Sequence, residues 1–454
     1  MKKKLRDLKA ATLARLEACA PTGTGPSFEV ADTSESILSE IRYILTTGIP
    51  PFDAMAGGFP FGRICEIYGL EECGKTAMCM RSAIRAQTFQ IYEISRDAAG
   101  ERVYTLLDPK RCEVNVVYID NEQSIDNDQK LVVDGQRASF IVCRTDTVDL
   151  MFKVVDQVVQ AAKERAEELE EAHVDKLVFT VIVVDTIAST SSRQELEQEW
   201  GKEDYARQPQ QISAGFRQMV RAINKHNVCM ICTNQTRDNF KQQPMRGRRM
   251  STPQDSEYTT FGGKALRFYA SHRIFMWRSD AKYKLVPGAK FHAGYLIGFR
   301  TIKNRLKKPK REGRMVIIFD EERGGFNALF SMFETLIFLG FIEVVNKEKQ
   351  TNFVFKFKSH GIEPQTFNRE PESLEEQDEK PRARSVRGPK DPSIMTRAEW
   401  PAFYAAHKED FDRMWDAAVA AAFVTEGYGE NVPVTVDGED DGDGDGETLS
   451  ESEE

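Results

Sequence analysis

The sequence predicts an α/β protein built on a mostly parallel, twisted sheet flanked by helices, with an extra helix at the amino end and a small helical module near the carboxyl end. Three observations lead there. Apolar runs of strand length alternate with stretches of helical period through the middle of the chain. One such run, Ile64-Cys65-Glu66-Ile67-Tyr68, leads directly into Gly69-Leu70-Glu71-Glu72-Cys73-Gly74-Lys75-Thr76, which fits the pattern GxxxxGK[ST], and a helical stretch follows from Ala77. With 454 residues, 41% of them hydrophobic, the chain is also long enough to bury one large core and one or two smaller modules.

Taken in order, residues 1–20 alternate charge with Leu and Ala as an amphipathic helix, 21–27 are a Gly-, Pro- and Thr-rich linker, and a second helix is expected over 34–45. The core then reads strand 64–68, helix 76–88, strand 114–120, helix 148–171, strand 177–184, helix 209–226 and strand 228–233. An inserted hairpin over 90–110 turns at Asp97-Ala98-Ala99-Gly100. The closely spaced runs 267–277, 293–303 and 315–319 are strand-like and predict that the sheet finishes with antiparallel strands. Residues 361–392 mix five prolines with dense charge of both signs and read as a linker. Beyond it Phe411, Met414, Trp415, Val419 and Phe423 recur at helical spacing, with Trp400 and Phe403 upstream, which predicts a small helical module with its own core. The expected division is 1–44 for the amino-terminal helix and linker, 45–345 for the core with its insert at about 90–112, 346–392 for an edge and charged linker, 393–430 for the helical module, and 431–454 for a disordered acidic tail.

A formal net charge of −9 argues against a nucleic-acid partner until it is located. Residues 437–454 hold ten acidic side chains and no Lys or Arg, so without them the −9 becomes +1. The body of the protein is therefore near neutral, and local basic segments decide what it binds. Its 8 cysteines are scattered; only Cys229 and Cys232 have ligand-like spacing, and in a strand they point to opposite faces. They read as buried reduced thiols of an intracellular, cytoplasmic protein. The amino end lacks the apolar stretch of a signal peptide, and no apolar run is long enough to span a membrane. The run Asp441-Gly442-Asp443-Gly444-Asp445-Gly446 imitates a calcium loop, but Ser452 falls at its twelfth position and no helices flank it.

The glycine-rich turn is suited to nucleotide phosphates. Its backbone N–H groups can point inward at phosphate oxygens, aided by the positive end of the following helix. Lys75 would reach the β and γ phosphates and Thr76 would hold Mg²⁺. The residues that would line this turn are Gly69, Glu71, Glu72, Cys73, Gly74, Lys75, Thr76 and Ala77. Hydrolysis needs two further carboxylates. Val181-Ile182-Val183-Val184-Asp185 ends an apolar strand on Asp185, placed to order the metal's water at the carboxyl end of the sheet. Val116-Val117-Tyr118-Ile119-Asp120-Asn121-Glu122 supplies Glu122 just past a strand end, where it can orient or deprotonate the attacking water.

Two segments on the same side of the sheet, 198–208 and 237–261, have the composition of DNA-binding loops. The second carries Arg237, Lys241, Arg246, Arg248 and Arg249 on a backbone loosened by Pro244 and Gly247, which suits phosphate contact without base readout. A further basic run, 300–314, could face DNA or a neighbouring subunit, and charge does not choose between them.

Several motifs then occur in a familiar order. They are Leu45-Thr46-Thr47-Gly48, Gly62 through the phosphate turn, Tyr118 to Glu122, Val181 to Asp185, Thr233-Asn234-Gln235-Thr236-Arg237, and Gly262-Gly263-Lys264-Ala265-Leu266-Arg267-Phe268-Tyr269-Ala270-Ser271. In these, over roughly 40–345, the chain resembles the bacterial RecA and phage UvsX-like recombinases, and its insertions and tail suggest a phage source. The resemblance implies a RecA-like ATPase core that polymerises with itself as a helical filament on single-stranded DNA and pairs that strand with duplex DNA. Single-strand-binding and loader proteins are further expected partners, and a membrane is not. It implies Glu122 as the catalytic glutamate, Asp185 as the Walker B aspartate and Gln235 as the γ-phosphate sensor at the start of the DNA loop. Lys303 and Arg305 would reach the neighbouring subunit's ATP, Asp126 would contact adenine, and Gly262 and Gly263 would close the DNA-binding segment. Departures are Leu70, Glu72 and Cys73 in the phosphate turn, Gln129 where an aromatic often stacks on the base, and Phe261 and Lys264 at the end of a longer DNA loop. Glu72 adds a carboxylate near the phosphates and is expected to slow turnover. The alternatives on the same core are a ring-forming helicase or ATPase and a non-catalytic DNA-binding or recombinase-loading relative. The Gly262–Ser271 motif and the basic pair speak against the first; retained Lys75, Thr76, Glu122 and Asp185 speak against the second.

Overall fold

In the computed structural model the described residues are 41–98, 102–122, 125, 139–190, 207–238, 258–262, 265–283, 293–318, 325–346 and 351–355, followed by 400–416 except 407, 410, 414. The expectations for the amino-terminal helix, the charged linker, the 198–206 stretch and the acidic tail lie outside them. Along the chain run β1 (Tyr43–Leu45), α1 (Pro50–Ala56), β2 (Phe59–Pro60), β3 (Arg63–Gly69), α2 (Lys75–Gln87), β4 (Ile91–Arg96), β5 (Arg102–Leu106), β6 (Cys112–Asp120), β7 (Ser139–Cys143) and α3 (Val148–Glu171). There follow β8 (Leu177–Asp185), α4 (Arg207–Lys225), β9 (Val228–Asp238), β10 (Tyr258–Thr260), α5 (Ala265–Tyr269), β11 (His272–Tyr283), β12 (Gly294–Lys303), β13 (Glu312–Ile318), β14 (Gly325–Asn327), α6 (Ala328–Phe338), β15 (Ile342–Asn346), β16 (Thr351–Phe355) and α7 (Trp400–Ala406).

The main sheet has the order β14-β13-β12-β11-β3-β9-β8-β6-β7. From β11 to β7 all neighbours are parallel. Beyond β11, strands β12, β13 and β14 pair antiparallel, as the closing runs of the sequence predict. The central strands are apolar on both faces because both are covered. On one face Cys65, Ile67, Val181, Val183, Cys229 and Ile231 pack under α1 and α2; on the other Ile64, Ile182, Val184, Met230 and Cys232 pack under α3 and α4. Cys229 and Cys232 thus lie on opposite faces, as alternation requires. Local signals set the helix ends. Thr147 caps α3, its hydroxyl accepting from the Leu150 N–H at 3.2 Å, and Asn327 caps α6, accepting from the Phe330 N–H at 3.0 Å. Gly215 in α4 lies under Phe152 of α3: a Cβ there would sit 2.2 Å from the ring, so a larger residue would push the two helices apart.

Three expectations are corrected. Residues 43–45 are a strand, not the end of a helix, because β1 pairs with β2 and β4 from distant parts of the chain. The expected hairpin is present as β4–β5, and it extends a second sheet, ordered β2-β1-β4-β5. The run 267–277 is not one strand: α5 ends at Tyr269 and β11 begins at His272. Among the described residues, the module at 400–416 shares the core of α6 rather than forming a separate one. Trp400 is fully buried, its ring 4.6 Å from those of Phe333 on α6 and Phe411, and its indole N–H donates to the Leu329 carbonyl at 3.1 Å. Among the described residues no helix is long and apolar enough to cross a membrane.

Candidate active site

β3 delivers the phosphate turn at the carboxyl edge of the parallel strands, where Gly69 lies opposite Gln235 of β9. Gly74 begins α2 with φ 83° and has no side chain to cap the helix, so the N–H groups of its first turn are free for an anionic ligand. Lys75 folds its ammonium over the turn, donating to the carbonyls of Leu70 (2.7 Å) and Gly69 (3.3 Å), 3.8 Å from the buried Cys73 sulfur. Thr76 and Ala77 follow in the first helical turn, and Glu71 lies exposed in the turn. Glu72 does not face inward with the lysine: it pairs with Arg278 of β11, whose guanidinium lies over the Tyr295 ring at 4.5 Å. The added carboxylate is thus paired with a cation on the neighbouring strand.

Asp185 ends β8 almost fully buried, 1% exposed, and is held from two sides. The Tyr118 hydroxyl donates to its Oδ2 at 2.8 Å and the Thr233 hydroxyl to its Oδ1 at 2.5 Å. Burial and the nearby Cys79 and Asp185 push the Tyr118 phenol well above its ordinary range, so it stays a donor. An ionised carboxylate has about four lone-pair sites, so each oxygen can still accept from a metal-bound water. The backbone N–H groups of Asn121 and Glu122 donate to the Asp185 carbonyl at 2.8 and 3.2 Å, tying the ends of β6 and β8 together. Glu122 accepts from Gln235 Nε2 at 3.0 Å. Burial, then the charge of Asp185, raise the Glu122 pKa above the ordinary carboxylate value, against the lowering pull of Gln235 and Lys75. A raised carboxyl pKa near a phosphate-binding turn suits a general base. The structure thus brings Lys75, Glu122, Asp185 and Gln235 to one edge of the sheet.

Gln235 also leads into the segment expected to bind DNA. Thr236, Arg237 and Asp238 pair antiparallel with Thr260, Thr259 and Tyr258, so a short ladder springs from the residue that bonds Glu122. Gly262, just after it, has φ 77° and lies against Ile212 of α4. Lys241, Arg246, Arg248, Arg249, Gly263 and Asp126 lie outside the described residues, as do Gln129 and Lys264; Arg237 is described for its backbone alone.

Lys303 and Arg305 are not near this edge. Lys303 pairs in register with Arg273, which pairs with Glu66, three residues before Gly69 on β3. Its ammonium donates to the carbonyls of Arg267 (3.1 Å) and Phe268 (3.0 Å) at the end of α5. Burial, then the charges of Arg305 and Arg273, lower its pKa. The pair therefore sits toward the amino ends of the parallel strands, away from the chain's own phosphate turn.

Tyr118 and Thr233, which hold Asp185, both lie in sequence motifs but carry no spacing rule of their own. Strand alternation was the available signal, since it puts their side chains on the face that covers α2.

The model for the RecA N-terminal domain matches residues 102–324, which begins after the phosphate turn. Protein RecA of Mycobacterium ulcerans is 27% identical over 315 residues, covering 68% of this chain and 74% of the relative. The chain is RecA-like. Protein RecA of Nocardia farcinica is 26% identical over 317 residues, covering 69% of this chain and 75% of its own length, and that of Aquifex aeolicus is 30% identical over 268 residues, covering 58% and 62%. This similarity places the chain in DNA recombination and repair, with ATP and DNA as the ligands of the class.

Proposed function

We propose that the chain is an ATP-dependent homologous recombinase that assembles as a helical filament on single-stranded DNA and pairs that strand with homologous duplex. The observation that carries this reading is the Gln235–Glu122 hydrogen bond of 3.0 Å, because the strand that makes it becomes the ladder of the 237–261 segment within one residue. A change at the γ phosphate is felt by Glu122 and Gln235 together, and the next residues of β9 belong to the DNA-binding loop.

Lys75 and the N–H groups of the α2 first turn hold the β and γ phosphates, with Gly69, Glu71, Cys73 and Ala77 shaping the turn and Glu72 held aside by Arg278. Thr76 and, through water, Asp185 hold Mg²⁺, which neutralises charge on the phosphate oxygens. Glu122, deprotonated, orients the attacking water and takes its proton. Lys303 and Arg305, away from the chain's own turn, complete the site of the adjoining subunit, which makes turnover depend on assembly. Arg237, Lys241, Arg246, Arg248, Arg249, Gly262 and Gly263 contact DNA, Asp126 contacts adenine, and single-strand-binding and loader proteins act on the filament. The test is ATP turnover with and without single-stranded DNA: stimulation supports the reading, and turnover indifferent to DNA defeats it.

A further inference from the structure

Three buried polar side chains lie between the phosphate strand, the strand of Gln235 and the strand beside Lys303, and the hydrolytic constellation uses none of them. Glu66 on β3 and Asn234 on β9 are fully buried, and Arg273 on β11 is 6% exposed. Groups of this kind are costly in a core unless they are paired. Arg273 Nε donates to Glu66 Oε2 at 2.5 Å, with its guanidinium 4.5 Å from the Tyr68 ring centroid. Asn234 Nδ2 donates both to Glu66 Oε1 at 3.1 Å and to the carbonyl of Phe261 at 3.0 Å. Phe261 is the last residue of the 237–261 segment, and Asn234 is the residue before Gln235. Arg273 stands opposite Glu66 in one strand pair and opposite Lys303 in the other. Hydrogen bonds thus run from the exit of the DNA loop, across β9 and β3, to the strand position beside Lys303. Among the described residues, Asn234 Oδ1 and Arg273 Nη2 are buried without a partner. A network with polar atoms left over has room for a second arrangement.

We propose that Asn234, Glu66 and Arg273 form a positioning network that couples the exit of the DNA loop to Lys303. The inference rests on the recombinase reading and names how strand binding is reported to the subunit interface. When DNA moves Phe261, its carbonyl changes its hold on Asn234. Asn234 then shifts against Glu66, and Glu66 re-aims Arg273 and the β11–β12 pairing that carries Lys303. None of the three touches the reacting atoms. Their effect is on the ratio of DNA-dependent to DNA-independent turnover.

The test is Asn234→Ala in the full chain, which cuts the path at its centre and leaves the Glu66–Arg273 ion pair. Turnover with and without single-stranded DNA, KM for ATP, and DNA affinity with a non-hydrolysable ATP analogue against ADP are measured. Coupling energies between sites are typically a few kcal/mol, so stimulation by DNA should fall about ten-fold, with DNA-independent turnover and KM within about two-fold of the unmodified protein. The difference in DNA affinity between the two nucleotides should shrink with it. Asn234→Ser, which leaves a smaller void and a polar atom, is measured alongside to guard against loss of fold and should show the same pattern, weaker. Undiminished stimulation in both variants overturns the inference, and so does an equal loss of both turnover rates, the signature of a purely structural role. If the unmodified protein is itself indifferent to DNA, the recombinase reading falls and this inference with it; if it is stimulated and the variants match it, this inference alone falls.

Discussion

Replacing Glu122 by Gln keeps the shape that Gln235 grips and removes the ability to accept a proton. The Gln235 N–H can still donate to the new amide oxygen, so the 3.0 Å contact and the pairing of the β6 and β8 ends survive. Only the chemistry is lost. General-base contributions of about 10²–10⁴-fold correspond to about 2.7–5.4 kcal/mol of barrier at 1.36 kcal/mol per factor of ten. Turnover in saturating single-stranded DNA should fall by that factor while nucleotide affinity changes little. The pH profile supplies an independent check. Glu122 works deprotonated and its pKa is raised by burial and by Asp185, so activity is lost as pH falls through that raised value, above the range of an ordinary glutamate. The hydrogen bond from Gln235 pulls the pKa down, so Gln235→Ala should move the acid limb of the profile to higher pH. Steady-state turnover across pH measures both. Near-normal turnover in Glu122→Gln, or an acid limb that stays in place in Gln235→Ala, would refute the assignment of Glu122 as base.

Other outcomes follow from the same geometry. Lys75→Ala should lose nucleotide binding or hydrolysis, whereas Lys303→Ala should keep binding and lose turnover. Mixing the two inactive proteins should restore part of the activity, because some interfaces then join an intact phosphate turn to an intact Lys303; no restoration would place both residues in one subunit's site. Trp400→Ala should release the 400–416 segment from α6 at about 3–5 kcal/mol, the usual cost of a buried aromatic deletion, seen as faster proteolysis of that segment. Removing the acidic residues of 437–454 should tighten single-stranded DNA binding at low salt, because ten carboxylates no longer compete with phosphates for the basic loops, and the gain should fade as salt rises.

Much of the core was legible because its signals are local. β8 is a run of apolar residues closed by a carboxylate, and the phosphate turn is a strict pattern between a strand and a helix. What escaped depends on distant partners. Residues 43–45 continue an apparently helical run, and only pairing with β2 and β4 makes them a strand. The segment 265–269 is about one turn and a half of helix with Leu266 inward and Phe268 outward, too short for period 2 and period 3.6 to be told apart. Trp400 reads as the nucleus of a separate module, yet its neighbour Phe333 lies 67 positions earlier. In the site, Lys75, Glu122, Asp185 and Gln235 carry recognisable spacing to their strand ends. The Asn234–Glu66 and Arg273–Glu66 contacts join residues 168 and 207 positions apart, and no spacing rule reaches that far.

We propose that this chain turns over ATP as part of a filament on DNA, with each site finished by the next subunit. Electron microscopy of the full chain with single-stranded DNA and a non-hydrolysable ATP analogue tests it most directly. Helical filaments that fail to form when the analogue is replaced by ADP are the predicted result; closed rings, or isolated subunits on the strand, would contradict it.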